Sequence, residues 1–338
     1  MKIRLSKSNV IIASLLLAAV FLAVLCVMTS QTMNTPNRLS ESKTIELESG
    51  ATIRSLVKQL QQHDLVKCPK LLILWTRLNG DAKRLQVGEY AIQPGDTLSE
   101  LLTDITSGRV QQHPLQLLEG WTFKQFMQAI EDNSAIDHQL TGLDQKEILK
   151  RLEIQHDHPE GLFFPETYYI HKNISDVDVL KRAYAHMQKH LHGLWEKREQ
   201  GLPFETPYEA LILASIVEKE SAVDEERTLI AGVFINRLRK NMRLQTDPTV
   251  IYGIGDKYDG DIRFRDLRTD TPYNTYTRRG LPPTPIAMPG LGSLKAVMHP
   301  AKTDNLYFVA INDNSGRHKF SSTLNEHNKA VDKYQRKK

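Results

Sequence analysis

Residues 206–221 read TPYEALILASIVEKES, and the middle of this stretch decides the fold. Thr206 suits a helix cap, Pro207 the first helical position, and Glu209 the reciprocal bond that closes a capping box. From Leu211 to Val217 every residue is apolar or small. Successive residues turn by about 100°, so this run covers every side of a helix, and a helix apolar all round is a buried one. It is too short to cross a bilayer, which takes about 20 residues. A second core helix opens near Asp224, with Leu229, Ile230, Val233, Phe234 and Leu238 as its stripe.

The buried run ends in Glu218, Lys219 and Glu220. Glu218 shares a face with Leu211, Ala214 and Ser215, and the two small residues leave room for a ligand. Burial and the negative end of the helix dipole both favour a protonated acid there. Lys219 opposes them only on close approach, and it points about 100° away. An acid that keeps its proton is what general-acid attack on a glycosidic bond requires. The alternative is a solvated Glu at a frayed helix end. Glu220, on the other side of the helix, fits that description better.

Toward the N-terminus, Val10–Met28 is an unbroken apolar or small run, long enough to cross most of a ~30 Å hydrocarbon core. Lys2, Arg4 and Lys7 precede it and no acid occurs in the first 30 residues, so residues 1–9 are expected in the cytoplasm and the remainder outside. Residues 29–43, TSQTMNTPNRLSESK, are polar and aperiodic and read as a linker. From 44 to 130 one phrase recurs: GATIRSL at 50, GDTLSEL at 95 and GWTFKQF at 120. Each places a capping Thr before helically spaced apolar residues, and strand-like stretches precede each start. This is a small α+β module. Its QPGDTLSELL also resembles the opening of LysM modules, which bind the sugar backbone of peptidoglycan.

Residues 131–338 form the second domain, of mixed helical and β character. The helix DVDVLKRAYAHMQKHLHGLWEKRE carries His186 and His190 at i,i+4, a solvated face without the partners of a zincin site. No metal and no cofactor is expected. A hairpin, NLYFVAI to KFSS, and a capped final helix close the chain. Between them and the core helices, Thr271–Gly292 is a long irregular reach whose Tyr, Asn, Thr and Pro content suits an ordered, ligand-facing wall. The formal net charge of +4 sits mostly in the first seven residues, which excludes a nucleic-acid footprint. With Cys26 in the membrane run, Cys68 has no disulfide partner.

EGLFFPETYYI at 160, ASIVEKES at 214, VFINRLRKNMRLQTDPTVIYG at 233, YNTYTRRGLPPTPIAMPG at 273, LKAVMHPAKTDNLYFVA at 294 and HKFSSTLNEHN at 318 occur in this order. Together they closely resemble the YceG-like endolytic murein transglycosylases. The resemblance implies a single-pass inner-membrane enzyme with a periplasmic catalytic domain. It implies a lyase that cuts nascent peptidoglycan strands between N-acetylmuramic acid and N-acetylglucosamine, leaves 1,6-anhydromuramic ends and so terminates strand elongation. The family's catalytic Glu falls at Glu218. Gln245, Thr246, Asp247, Asn274, Thr275 and Tyr276 are candidates for sugar contact, since amides and hydroxyls suit N-acetyl and hydroxyl groups and Tyr offers a face to a pyranose ring. Expected partners are glycan strands, the inner membrane and cell-wall synthases. The competing readings are a true muramidase, with Asp247 as second carboxylate, and a membrane-tethered glycan-binding scaffold.

Overall fold

The computed structural model describes residues 7–221 and 223–336, with side chains from residue 11 onward. Lys2 and Arg4 lie outside the described residues. The chain divides into two compact units after His113.

In the first unit the order is α1 (Lys7–Asn34), β1 (Lys43–Leu47), α2 (Ile53–Gln62), α3 (Pro69–Leu78), β2 (Gly88–Ile92) and α4 (Leu98–Ser107). The segment Ile11–Asn34 is long and apolar enough to cross a membrane. β1 and β2 pair antiparallel, with Ile45 opposite Tyr90. Their inward residues pack with Leu56, Leu60, Leu72, Leu101 and Ile105 in one core. The recurring phrase is a structural device. Gly50 and Gly95 take left-handed backbone, φ 81° and 91°. Thr52 and Thr97 then cap α2 and α4, with Ser55 and Glu100 closing the boxes.

Two expectations are corrected here. Residues 29–43 are not a free linker. α1 continues through Asn34, burying Thr29 and Met33 in the unit. Asn37 then ties down the strand-to-helix turn: its amide donates to Asp96 O at 2.9 Å, and its side chain donates to Gln93 O at 2.7 Å. The module also ends near 113 rather than 130, because Phe123, Phe126 and Ile130 bury themselves in the second core.

The second unit runs β3 (His113–Gln116), α5 (Phe123–Glu131), β4 (Ile136–Asp137), α6 (Gln145–Arg151), β5 (Thr167–Ile170), β6 (Ile174–Ser175), α7 (Asp176–Glu196), α8 (Pro207–Glu220), α9 (Arg227–Arg239), α10 (Asp247–Ile254), α11 (Phe264–Arg268), α12 (Leu291–Met298), β7 (Tyr307–Ala310), β8 (His318–Ser321) and α13 (Leu324–Tyr334). Among the described residues its strands pair two by two: β3 with β5, β4 with β6 in parallel, and β7 with β8 as the expected hairpin. Helices supply most of the core, with strand residues such as Leu115, Tyr168 and Ile170 joining it, and the fold is mixed α+β. α8 is the central helix, packed by α7, α9, α10 and α12. The whole run Ala210–Val217 is buried, as its all-round apolar pattern requires. The reach between α11 and α12 carries no regular element.

Candidate active site

One face of α8 holds the irregular reach in register. Ser215 Oγ donates to Ile212 O and accepts from the Ile286 amide at 3.0 Å. One turn later, the Gly290 amide donates to Glu218 Oε2 at 2.9 Å. Between these points Met288 exchanges backbone bonds with residues 120 and 121: Gly120 N to Met288 O at 2.9 Å, and Met288 N to Trp121 O at 2.7 Å. The end of α8, the turn at 118–121 and the lead into α12 thus meet around one carboxylate.

The Glu218 side chain is only 6% exposed, so it is no solvated helix end. Its Oε1 lies 3.5 Å from Arg227 Nη2, at the first turn of α9. The same guanidinium nitrogen lies 4.0 Å from Glu119 Oε2. Burial raises the Glu119 carboxyl above its ordinary range and the charge of Glu218 adds to this, while Arg227 opposes. Asp224 Oδ1 lies 3.1 Å from Nη1 of the same guanidinium, so three carboxylates share one fixed cation. The glycines of PGLGS make this possible, since a Cβ at Gly290 would overlap the Glu119 carboxylate and one at Gly292 the Arg227 guanidinium.

Lys219 turns away from Glu218, as the helix geometry requires, and donates to Gly120 O at 3.2 Å. Arg227 is the cation that the sequence reading missed. Glu119 and Gly290 were missed as well. Those contacts span nine to 108 residues along the chain, and no spacing rule joins them. The local signal was a Glu before an obligate turn Gly, in LLEGWT, and a G-x-G before a helix.

Beside this site lies another carboxylate, Glu160, which is buried at 3% exposure. It accepts from the Phe123 amide at 2.9 Å, at the open N-terminus of α5, and from Tyr252 Oη at 3.0 Å. Burial lifts its carboxyl to about 7, with those two hydrogen bonds and the charge of Lys219 opposing.

On the far side of α8, Glu220 is not the solvated residue expected from its position. It accepts from Thr246 Oγ1. Burial pushes its carboxyl up; the Thr246 bond opposes, Asp247 adds to the push, and His318 and Arg237 oppose it. The six residues expected to contact sugar gather on this side as one network. Gln245 N donates to Thr275 O at 3.2 Å, and Thr246 N to Thr275 Oγ1 at 3.1 Å. Tyr276 Oη donates to Asp247 Oδ1 at 2.6 Å. Asn274 donates to the carbonyls of Asp266, Leu267 and Thr269 and accepts from the Tyr276 amide. Thr246, Asn274 and Thr275 are buried and spend their polar atoms internally; they build the wall. Gln245 and Asp247 are exposed on it, with Tyr276 half-buried. Among the described residues, Glu218 makes its polar contacts to Gly290 and Arg227 and to none of these six.

His186 pairs with Glu166 at 3.0 Å, and His190 lies over Phe164 with 4.4 Å between ring centres. Among the described residues no three His, Cys, Asp or Glu side chains converge as metal ligands.

Comparison with known proteins places this arrangement in context. A model of the YceG-like family matches residues 45–333. A Bacillus subtilis protein named endolytic murein transglycosylase is 33% identical over 315 residues, covering 87% of this chain and 86% of its own. A Streptococcus pneumoniae protein of the same name is 28% identical over 327 residues, covering 85% of this chain and 57% of its own. The crystal structure of a YceG-like protein from Listeria monocytogenes is 28% identical, with a TM-score of 0.52, and covers 86% of this chain and 99% of that one.

Proposed function

This chain belongs to the YceG-like family, and on that premise we propose that it is a membrane-anchored lytic transglycosylase acting inside peptidoglycan strands. Relatives named endolytic murein transglycosylases support the class, a lyase, and the substrate, peptidoglycan. The bond cut is that between N-acetylmuramic acid and N-acetylglucosamine of nascent strands, and the product carries a 1,6-anhydromuramic end, which terminates elongation. α1 spans the inner membrane, with the N-terminus in the cytoplasm and the chain after α1 on the periplasmic side, where cell-wall synthases also work. The first unit is the LysM-like glycan contact.

The observation that carries this reading is Glu218 itself: a buried carboxyl that follows the buried run of α8, held by one backbone amide and one guanidinium. Glu218 donates its proton to the glycosidic oxygen as positive charge builds at the muramic C1. The resulting carboxylate takes the proton from the C6 hydroxyl of the same sugar, and that oxygen closes on C1. The nucleophile is internal to the substrate, so no second carboxylate has to hold water or form a covalent bond. Arg227 and the Gly290 amide fix the carboxyl in place. Gln245, Asp247 and Tyr276 offer exposed polar atoms to sugar, on a wall shaped by Thr246, Asn274 and Thr275.

A second reading has one observation in its favour. Glu119 stands beside Glu218, which would suit a hydrolase that activates water; Asp247, the second carboxylate expected from sequence, is instead bonded to Tyr276. Digestion of purified glycan strands by the full chain in detergent, with mass spectrometry of the products, separates the cases. Anhydro ends are expected. Reducing ends that vanish in Glu119→Gln would establish the hydrolase. Strand binding without cleavage, equal in wild type and Glu218→Gln, would leave only a scaffold.

A further inference from the structure

The first unit grows directly out of the membrane helix. Leu25 and Met28 belong to the apolar run, yet Thr29 and Met33 are already buried in the unit. At 1.5 Å per residue, only about 12 Å of helix separates Leu25 from Met33. The unit therefore has no slack with which to leave the membrane surface.

The part of the unit beside that exit is α3. An apolar groove of about 500 Å³ runs between the two helices, with Leu25 and Met28 on one wall and Pro69, Leu71 and Leu74 on the other. Leu74 thus stands level with residues of the apolar run. Leu71, Leu74 and Leu78 follow helical spacing, and Leu74 and Leu78 are 46% and 75% exposed, an unusual waste of apolar area on a soluble surface. Lys67, Lys70 and Arg77 are exposed, and α3 contains no acid. An apolar stripe edged by cations is the pattern of a helix lying in the lipid interface, sunk about 5–10 Å.

We propose that α3 docks on the bilayer, with Leu71, Leu74 and Leu78 at the acyl–headgroup boundary and Lys67, Lys70 and Arg77 on anionic headgroups. The occupant of the groove and stripe is lipid. The charge pattern and the continuity with the apolar run both select it over a second copy of the chain. Docking seats the LysM-like unit on the membrane surface, so it meets glycan where strands emerge rather than deep in the wall. The inference rests on the reading that α1 spans the membrane, and its test reports on that reading separately.

The full chain, with Cys26→Ser and Cys68→Ser, receives a polarity-sensitive fluorophore at Leu78→Cys or at Leu22→Cys. It is placed in nanodiscs of phosphatidylglycerol and phosphatidylethanolamine, with or without bromine on the acyl chains. Leu78 is largely exposed, so the label displaces no core contact. Bromine is expected to quench both positions. Lys70→Gln and Arg77→Gln should each lower the ratio of docked to undocked protein reported from position 78 by roughly five-fold, without changing position 22. Quenching at 22 with a water-exposed label at 78 overturns the docking and leaves the span standing. No quenching at either position overturns both. A label at 78 shielded from aqueous iodide, but only in discs that hold two chains and never by bromine, would assign the stripe to a second copy and also overturn the proposal.

Discussion

Two carboxylates, two residues apart, leave opposite sides of the same helix end. Glu218 enters a charged setting with Arg227, Glu119 and the backbone amide of Gly290, just before α12. Glu220 enters a hydroxyl network of Thr246, Thr275 and Thr249, closed by Asn274 and its carbonyls. Burial does not separate them, because neither is solvated. What separates them is the partner set. A carboxyl held by a cation and one amide keeps lone pairs for a reacting atom. A carboxyl bonded into a network of hydroxyls ties the wall of the reach to α8. Burial of a titratable group is therefore a poor guide to function unless its partners are known.

The largest test of this contrast is Glu218→Gln, which keeps the shape and removes the proton donor. Turnover on glycan strands should fall by about 10²–10⁴-fold while circular dichroism and strand binding stay near wild type. If Glu220→Gln were the inactive, folded variant and Glu218→Gln nearly normal, the assignment of the two sides would be reversed.

Arg227 comes next. Arg227→Gln frees the Glu218 carboxyl from one of its two holds. A misplaced catalytic group costs on the order of 10²-fold, so kcat should drop by about that much with KM little changed. Arg227→Lys should recover part of the loss, since it keeps the charge but not the planar fork. Equal loss in both variants, accompanied by a lower melting temperature, would give Arg227 a merely structural role.

Glu160 extends the comparison to pH. Its folded-state carboxyl titrates near 7 against an ordinary value of 4.5. Between those values the unfolded chain releases the proton and the folded chain keeps it, so the unfolded state binds fewer protons. Stability must then fall as pH rises from about 4.5 to about 7, by up to about 3 kcal/mol from this group. Glu160→Gln should flatten that part of the denaturation profile. An unchanged slope would mean that Glu160 is already ionised in the folded protein.

The smallest effect concerns the wall. Thr246→Val leaves Glu220 without its hydroxyl donor, and an unsatisfied buried group costs about 1–3 kcal/mol. Chemical denaturation should register that loss, while kcat moves far less than in the Arg227 variants. A kcat loss as large as that of Glu218→Gln would erase the distinction between the two sides.

Much was legible from local pattern alone. The apolar all-round run 211–217, the caps at Thr52, Thr97, Thr122, Thr206 and Thr323, and the 307–321 hairpin are properties of neighbouring residues, whose hydrogen bonds and periodicity close within a few positions. Resemblance across long phrases carried the class of chemistry. Pattern failed where polar residues are used over distance. Residues 29–43 look like a linker because their polarity is local, yet Asn37 spends its polar atoms on residues 93–96. Asn274 and Thr275 look like ligands for sugar, yet their donors are consumed by carbonyls and hydroxyls of the wall itself. The amino-acid sequence by itself determined that α8 is a core helix, that it ends in a carboxylate, and that Glu218 and Glu220 face apart, since 3.6 residues per turn leaves no other outcome. Only the tertiary structure decided which cation meets Glu218. Arg227 reaches it through the packing of α9, and Glu119 reaches Arg227 from the 118–121 turn, contacts that become possible only once the core between them has closed.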